Sequence, residues 1–148
     1  MKWLLDTNVV SETGRDRPDR AVVEWIRAKP ILDVAISIIT LAELQEGAES
    51  NPSPTRREKL INWIEKEVSG TFDGRTLDLT TGVLIDWLRL SRRLHARGLT
   101  RDASDMLIAA TARVHDLTLV TRNTRHFADT GVIVYDPWNG KTHHMDAP

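Results

Sequence analysis

Three acidic residues are placed where their carboxylates could do chemistry together. Asp6 directly follows the apolar run at residues 3–5, which predicts a buried strand with the acid at its carboxyl end. Glu43 and Asp105 each lie in the first turns of a predicted helix. Because ligands bind at the carboxyl ends of the strands in open α/β sheets, the three acids could meet at one edge of a sheet.

Carboxylates that converge in a cleft repel one another at neutral pH, and a bound hard cation such as Mg²⁺ or Mn²⁺ removes that repulsion. Such an ion can activate water and stabilise a phosphoryl-transfer transition state. Each acid also has a structural interpretation. Asp6 could form a turn after its strand, and Glu43 could stabilise a helix N-terminus. Asp102 could cap the helix that carries Asp105. Spacing alone favours these structural roles.

Short apolar segments alternate with amphipathic ones along the chain. Buried strands are predicted at residues 3–5, 34–36, 76–79, 118–121 and 132–135. Helices are predicted at residues 19–29, 41–46, 80–97 and 102–114, with a further helix after the break at 51–54. Ser37 or Thr40 opens the helix at 41–46, and Gly47 ends it. This alternation predicts the α/β class with a central, mostly parallel sheet.

Composition narrows the possible functions. A length of 148 residues with 41% hydrophobic and 28% charged content indicates one ordinary globular domain. The absence of cysteine excludes disulfides and thiolate chemistry, and it suits a cytoplasmic location. No apolar run approaches the roughly 20 residues of a membrane span, and no signal peptide is predicted. With a net charge of −1, nucleic acid would have to bind through a local basic patch.

The end of the chain has little apolar sequence. We expect the domain to span residues 1–138 and the tail at 139–148 to be disordered. The tail contains His143 and His144, and two histidines are too few to indicate a metal site.

Four segments together resemble one family. They are residues 4–12 (LLDTNVVSE), 37–47 (SIITLAELQEG), 105–112 (DMLIAATA) and 117–127 (LTLVTRNTRHF). Their order and separation resemble those of PIN-domain proteins, specifically the VapC/FitB-like toxins, over the chain up to about residue 138. The resemblance implies a PIN-like three-layer α/β/α fold and a Mg²⁺-dependent endoribonuclease, with Mn²⁺ as a possible replacement ion.

The resemblance also assigns roles to the acids. Asp6, Glu43 and Asp105 match the family's first three acidic positions and would be the metal ligands and catalytic residues. Asp105, rather than Asp102, directly precedes the Met-Leu-Ile-Ala-Ala run. Asp102 would cap the helix or lie at the rim of the acidic site.

The fourth motif departs from its most acidic family version. Asn123 and His126 stand where many members carry an acid. Asn123 would be a catalytic-site residue that holds a water molecule or the loop backbone. With one carboxylate fewer, we expect a single firmly bound metal ion.

Basic side chains of the same loop could contact the substrate. Arg122, Arg125 and His126 are candidates for binding the RNA backbone. His126 is also explained by a surface position in a short turn. The resemblance further implies a homodimer and a cognate antitoxin protein that inserts a segment near the acidic groove.

Two other functions remain open from the sequence. The altered fourth motif could belong to a non-catalytic PIN-fold module that binds RNA or a protein partner. A receiver-like or phosphatase-like α/β protein would also place an acid at a strand end. Such proteins usually have a lysine after a later strand, and here Arg122 follows the strand at 118–121.

Overall fold

The strands form a single central sheet. The computed structural model describes residues 1–148. Its strands are β1 (Trp3–Leu5), β2 (Val34–Ser37), β3 (Thr76–Leu77), β4 (Thr118–Val120), β5 (Ile133–Asp136) and β6 (Lys141–His144). They are ordered β3-β2-β1-β4-β5-β6, and all neighbouring pairs are parallel except β5 and β6. The predicted α/β class with a mostly parallel sheet is therefore confirmed.

Helices cover both faces of the sheet. They are α1 (Thr7–Thr13), α2 (Arg20–Arg27), α3 (Ile38–Glu49), α4 (Pro54–Trp63), α5 (Ser69–Thr71), α6 (Thr81–Ala96) and α7 (Ala103–Val114). A π-helical turn at Ile64–Val68 joins α4 to α5, and 3₁₀ turns occur at Ile31–Asp33 and Thr124–Phe127. None of these helices is both long enough and apolar enough to cross a membrane.

The core consists of one apolar cluster on each side of the sheet. Leu4 belongs to a cluster with residues of α6 and α7, whereas the next residue, Leu5, belongs to a cluster with residues of α1, α2 and α3. Successive strand residues point to opposite faces, so a strand covered on both faces is apolar throughout. This arrangement is the predicted three-layer α/β/α fold, and it leaves the ends of the strands as the places for a site.

The tail is partly ordered, and the predicted disorder of residues 139–148 is wrong for β6. This strand pairs antiparallel with β5, from Ile133 opposite His144 to Asp136 opposite Lys141. The chain reverses at Gly140, whose φ of 73° is a left-handed conformation that glycine adopts without strain. The dipeptide Asn139-Gly140 directly before β6 is a strong hairpin signal in the sequence.

One further helix was not predicted, and another is longer than the sequence predicts. α1 begins directly after Asp6 and was not predicted as a helix. α3 begins at Ile38, because the Ser37 hydroxyl caps it by accepting from the Ile39 N–H at 3.1 Å. It continues through Gly47, which was expected to end it. Packing of Leu44 in the core outweighs the roughly 1 kcal/mol helix penalty of a glycine.

Candidate active site

Asp6 is held at the end of β1 by neutral donors. Its Oδ1 accepts from the Thr7 N–H at 2.7 Å, so Asp6 caps α1. Its Oδ2 accepts from the Thr121 hydroxyl at 2.7 Å and from the Asn8 side-chain amide at 3.1 Å. Asp6 is only 4% exposed. This buried carboxylate is thus fixed in position without a neighbouring lysine or arginine.

Glu43 and Asp105 approach from the two sides of the sheet. Glu43, on α3, accepts through Oε1 from the Thr7 hydroxyl at 2.7 Å. Asp105, in the first turn of α7, has its Oδ2 3.1 Å from Nδ1 of His126. Asp102 caps α7 as predicted, since its Oδ1 accepts from the Asp105 N–H at 3.2 Å.

The three acids form one electrostatic cluster. Burial is the main reason why the pKa of each carboxyl is raised above its ordinary value. Repulsion adds to this effect: Asp105 raises the pKa of Asp6, and Asp6 raises that of Glu43. Asp102 and Glu43 both raise the pKa of Asp105. Negative charge is therefore concentrated where β1, α3 and α7 meet.

The chain supplies almost no positive charge to balance this cluster. No lysine or arginine forms a salt bridge with Asp6, Glu43 or Asp105, and the only ionisable partner is His126, which is 56% exposed. The side chains do not by themselves form a ready set of three metal ligands. Uncompensated carboxylate oxygens are nevertheless the donors that a hard divalent cation prefers.

Thr121, which follows β4, connects the cluster to the next loop. Its fully buried hydroxyl donates to Asp6 and accepts from the Asn8 amide at 2.9 Å and from the Asn123 N–H at 3.1 Å. The Asn8 Oδ1 in turn accepts from the Arg122 N–H at 3.2 Å. A single hydroxyl therefore fixes Asp6 and the start of the loop relative to each other.

Two cavities border the acids. A polar cavity of about 320 Å³ is lined by Thr100, Arg101, Asp102, Asp105, Arg125 and His126. A groove of about 380 Å³ between α1, α3 and α4 is lined by Glu43, by the two arginines Arg15 and Arg56, and by apolar residues that supply most of its surface, among them Leu44, Leu60 and Trp63. The acidic cluster is thus open on one side to a polar cavity and on the other to a mainly apolar groove.

Comparison with known proteins places this geometry in a family. The model of the PIN domain matches residues 3–144. The chain belongs to the PIN-domain family. It is 36% identical to the VapC ribonuclease Y4jK of Sinorhizobium fredii over 135 residues, which cover 91% of this chain and 96% of the relative. It is 35% identical to Toxin FitB of Neisseria gonorrhoeae over 136 residues, covering 92% and 98%.

A solved structure supports the same assignment. The structure of FitAB bound to an IR36 DNA fragment superimposes with a TM-score of 0.86 at 34% identity, covering 96% of this chain and 99% of the matched chain. Within the PIN family, the chain is therefore a VapC/FitB-like member, as its four sequence segments suggested.

Not all of the predicted site residues take part in the acidic cluster. Asp6, Glu43 and Asp105 come together, whereas the Asn123 side chain makes no hydrogen bond and only its backbone N–H joins the network, through Thr121. Thr121 and the two residues after Asp6 were missed as site residues. The signal for Thr7 and Asn8 is the Asp-Thr-Asn sequence directly after a buried strand.

The predicted RNA-contact residues lie around the same cluster. Arg125 and His126 line the polar cavity. Arg122 is exposed, and its guanidinium lies over the ring of Trp138 at 5.0 Å from the centroid. Arg101, which was not predicted, also lines the cavity but pairs with Asp129 at 3.2 Å.

Proposed function

We propose that this PIN domain is a metal-dependent endoribonuclease and the toxin of a toxin–antitoxin pair. The observation that carries the proposal is the cluster of Asp6, Glu43 and Asp105, which are raised in pKa and lack a lysine or arginine partner. The similar proteins include a VapC ribonuclease and a toxin, and these names support the reaction and the role. RNA as substrate agrees with a cytoplasmic site of action.

The residues of the cluster fit a divalent cation. Asp6 and Asp105 would be its main ligands, and Glu43 would complete the coordination or orient the attacking water. Because the side chains are not already arranged as three direct ligands, some would bind through water, as Mg²⁺ commonly does. Mg²⁺ is the proposed ion, with Mn²⁺ as an alternative. The chemistry it supplies is charge neutralisation at the scissile phosphate and activation of water.

The protein's own contribution is orientation. The Thr121 hydroxyl and the Asn8 amide fix one oxygen of Asp6, and the Thr7 hydroxyl fixes one oxygen of Glu43. Fixed carboxylates need no reorganisation during the reaction, which is the main benefit of a preorganised site. Attack by water on the phosphodiester leaves a 3′-hydroxyl and a 5′-phosphate on the products.

Two surfaces of the chain suit protein partners. The groove beside Glu43 would accept a segment of a cognate antitoxin, and its acidic end suits an arginine of that segment. A structure of FitAB bound to a DNA fragment is among the similar structures. We also expect a homodimer, for which the exposed residues Leu84, Ile85 and Leu88 of α6 provide apolar surface.

Cleavage of total RNA by the antitoxin-free chain tests the enzymatic proposal. We expect cleavage with Mg²⁺, none with EDTA, and none with Asp6→Ala. Asp19→Ala is the matched control, since Asp19 caps α2 as Asp6 caps α1 but lies outside the acidic cluster. Equal cleavage by Asp6→Ala would refute the site. RNA binding without cleavage by the wild-type chain would favour a non-catalytic binding module.

A further inference from the structure

Arg122 has an unusual environment for an arginine near carboxylates. Its backbone is fixed, because its N–H donates to the Asn8 side chain that also contacts Asp6. Its guanidinium, however, makes no hydrogen bond and no salt bridge, and it lies over the ring of Trp138. By contrast, Arg101 and Arg113 are paired with aspartates.

Trp138 is held in place by the turn after β5. Its backbone N–H donates to Oδ1 of the buried Asp136 at 2.8 Å, and the Gly140 backbone N–H donates to the Asp136 carbonyl at 2.8 Å. β5 is the neighbour of β4, from which Arg122 emerges. The ring and the guanidinium therefore follow adjacent parallel strands at the same edge of the sheet as Asp6.

An aromatic ring and a carboxylate hold an arginine side chain in different ways. A cation over an aromatic face is attracted by the ring, while the N–H groups of the guanidinium point outward in its plane and stay free. A salt bridge would occupy those donors and cancel the charge. The ring thus presents Arg122 with its charge and its hydrogen-bond donors available to a ligand.

We propose that Trp138 positions Arg122 to bind a backbone phosphate of the RNA strand next to the acidic cluster. This inference rests on the ribonuclease function proposed above. A planar, fully charged guanidinium suits a phosphate bidentately, and Arg122 is joined to Asp6 through a single side chain, Asn8.

Binding of a labelled pool of single-stranded RNA, measured with the intact chain in EDTA to prevent cleavage, tests the proposal. We expect Arg122→Ala to weaken binding about tenfold and to reduce the slope of log K against log salt by about 0.7, the effect of one phosphate contact. The matched control is Lys29→Ala, which removes one positive charge and a contact with the rings of Trp3 and Trp25. It should change the affinity less than twofold.

The role of Trp138 is tested through its dependence on Arg122. We expect RNA affinity to fall in the order Trp138, Trp138→Phe, Trp138→Leu, because Phe retains an aromatic face and Leu has none. In an Arg122→Ala background, Trp138→Leu should cause no further loss. Melting curves identify any variant that unfolds, in which case Trp138→Phe carries the comparison. A Trp138 effect of equal size with and without Arg122 would overturn the positioning role.

The kinetics of RNA cleavage, measured with Mg²⁺, separate this inference from the ribonuclease function on which it rests. Arg122→Ala and Trp138→Leu should raise KM for RNA with little change in kcat. Wild-type cleavage with an unchanged KM in Arg122→Ala would overturn the inference and leave the ribonuclease intact. If the chain binds RNA through Arg122 but does not cleave it, the ribonuclease function is refuted and the contact of Arg122 with RNA is supported. Weaker binding of a protein partner alone would overturn the assignment to RNA.

Discussion

Replacing Thr121 by valine should loosen the site without changing its shape. Valine has nearly the volume of threonine but no hydroxyl. The substitution removes a bond donated to Asp6 and two accepted bonds, from the Asn8 amide and the Asn123 N–H. Since Thr121 is fully buried, water cannot take the place of the hydroxyl.

The cost follows from the kind of bond that is lost. A hydrogen bond to a charged group contributes about 1.5–3 kcal/mol, and a neutral one about 1 kcal/mol. The two neutral bonds are only part-buried and count for about 0.5 kcal/mol each, so the three bonds together give a loss of about 2.5–4 kcal/mol in the free energy of unfolding. At about 2–4 °C per kcal/mol for a chain of this size, the melting temperature should fall by about 5–15 °C.

Thr111→Val is the matched control. Thr111 is also fully buried, but its hydroxyl donates only to the Leu107 carbonyl of its own helix, at 2.8 Å. We expect a loss of about 1 kcal/mol or less there. Thermal unfolding in EDTA compares the two variants without metal, and RNA cleavage with Mg²⁺ should fall much more in Thr121→Val.

The pH dependence of the melting temperature distinguishes the Thr121 bond to Asp6 from the two neutral bonds. The Thr121 hydroxyl lowers the pKa of Asp6, so its contribution is present while Asp6 is ionised and is lost as the pH falls through the pKa of Asp6 in the folded state. The gap between Thr121→Val and wild type should narrow at acidic pH. Equal melting temperatures of Thr121→Val and Thr111→Val at neutral pH would refute the network.

Further predictions concern the metal, the charge cluster and the hairpin. Mg²⁺ at about 100 times its Kd should stabilise the wild-type chain by about 2.7 kcal/mol, and Asp6→Ala should show no comparable gain. Without metal, the folded state binds more protons than the unfolded state, because the pKa values of Asp6, Glu43 and Asp105 are raised. The melting temperature in EDTA should therefore rise as the pH is lowered from neutral through those pKa values; a fall would contradict the assignment. Gly140→Val should cost about 1–3 kcal/mol, since it forces a branched residue to positive φ. Gly47→Ala, a helical position with open space around the new Cβ, should instead stabilise the chain by about 0.5–1 kcal/mol in the same melting assay.

Local sequence was sufficient for most of the helices and strands. The apolar run before Asp6 predicts β1, and the alternation of strands and helices predicts the sheet. Ser37 and Asp102 were each recognised as possible helix caps, and both are caps in the structure. These features depend on residues a few positions apart, which is the range over which periodicity and capping act.

Contacts between distant segments were not predictable in the same way. The Asn8 amide meets the Thr121 hydroxyl across 113 positions of sequence, and this contact exists only because β1 and β4 are neighbours in the sheet. The contact of Arg122 with Trp138 likewise needs β4 beside β5. The family resemblance identified the acids but not the neutral side chains that orient them.

Mn²⁺ binding to the antitoxin-free chain, followed by electron paramagnetic resonance, tests whether the acidic cluster holds a metal ion. We expect one firmly bound ion per wild-type chain and no firm binding in Asp6→Ala or Asp105→Asn. We also expect the Asp19→Ala control to bind as wild type. Equal Mn²⁺ binding by wild type and Asp105→Asn would contradict this assignment, because the ion would then lie outside the acidic cluster.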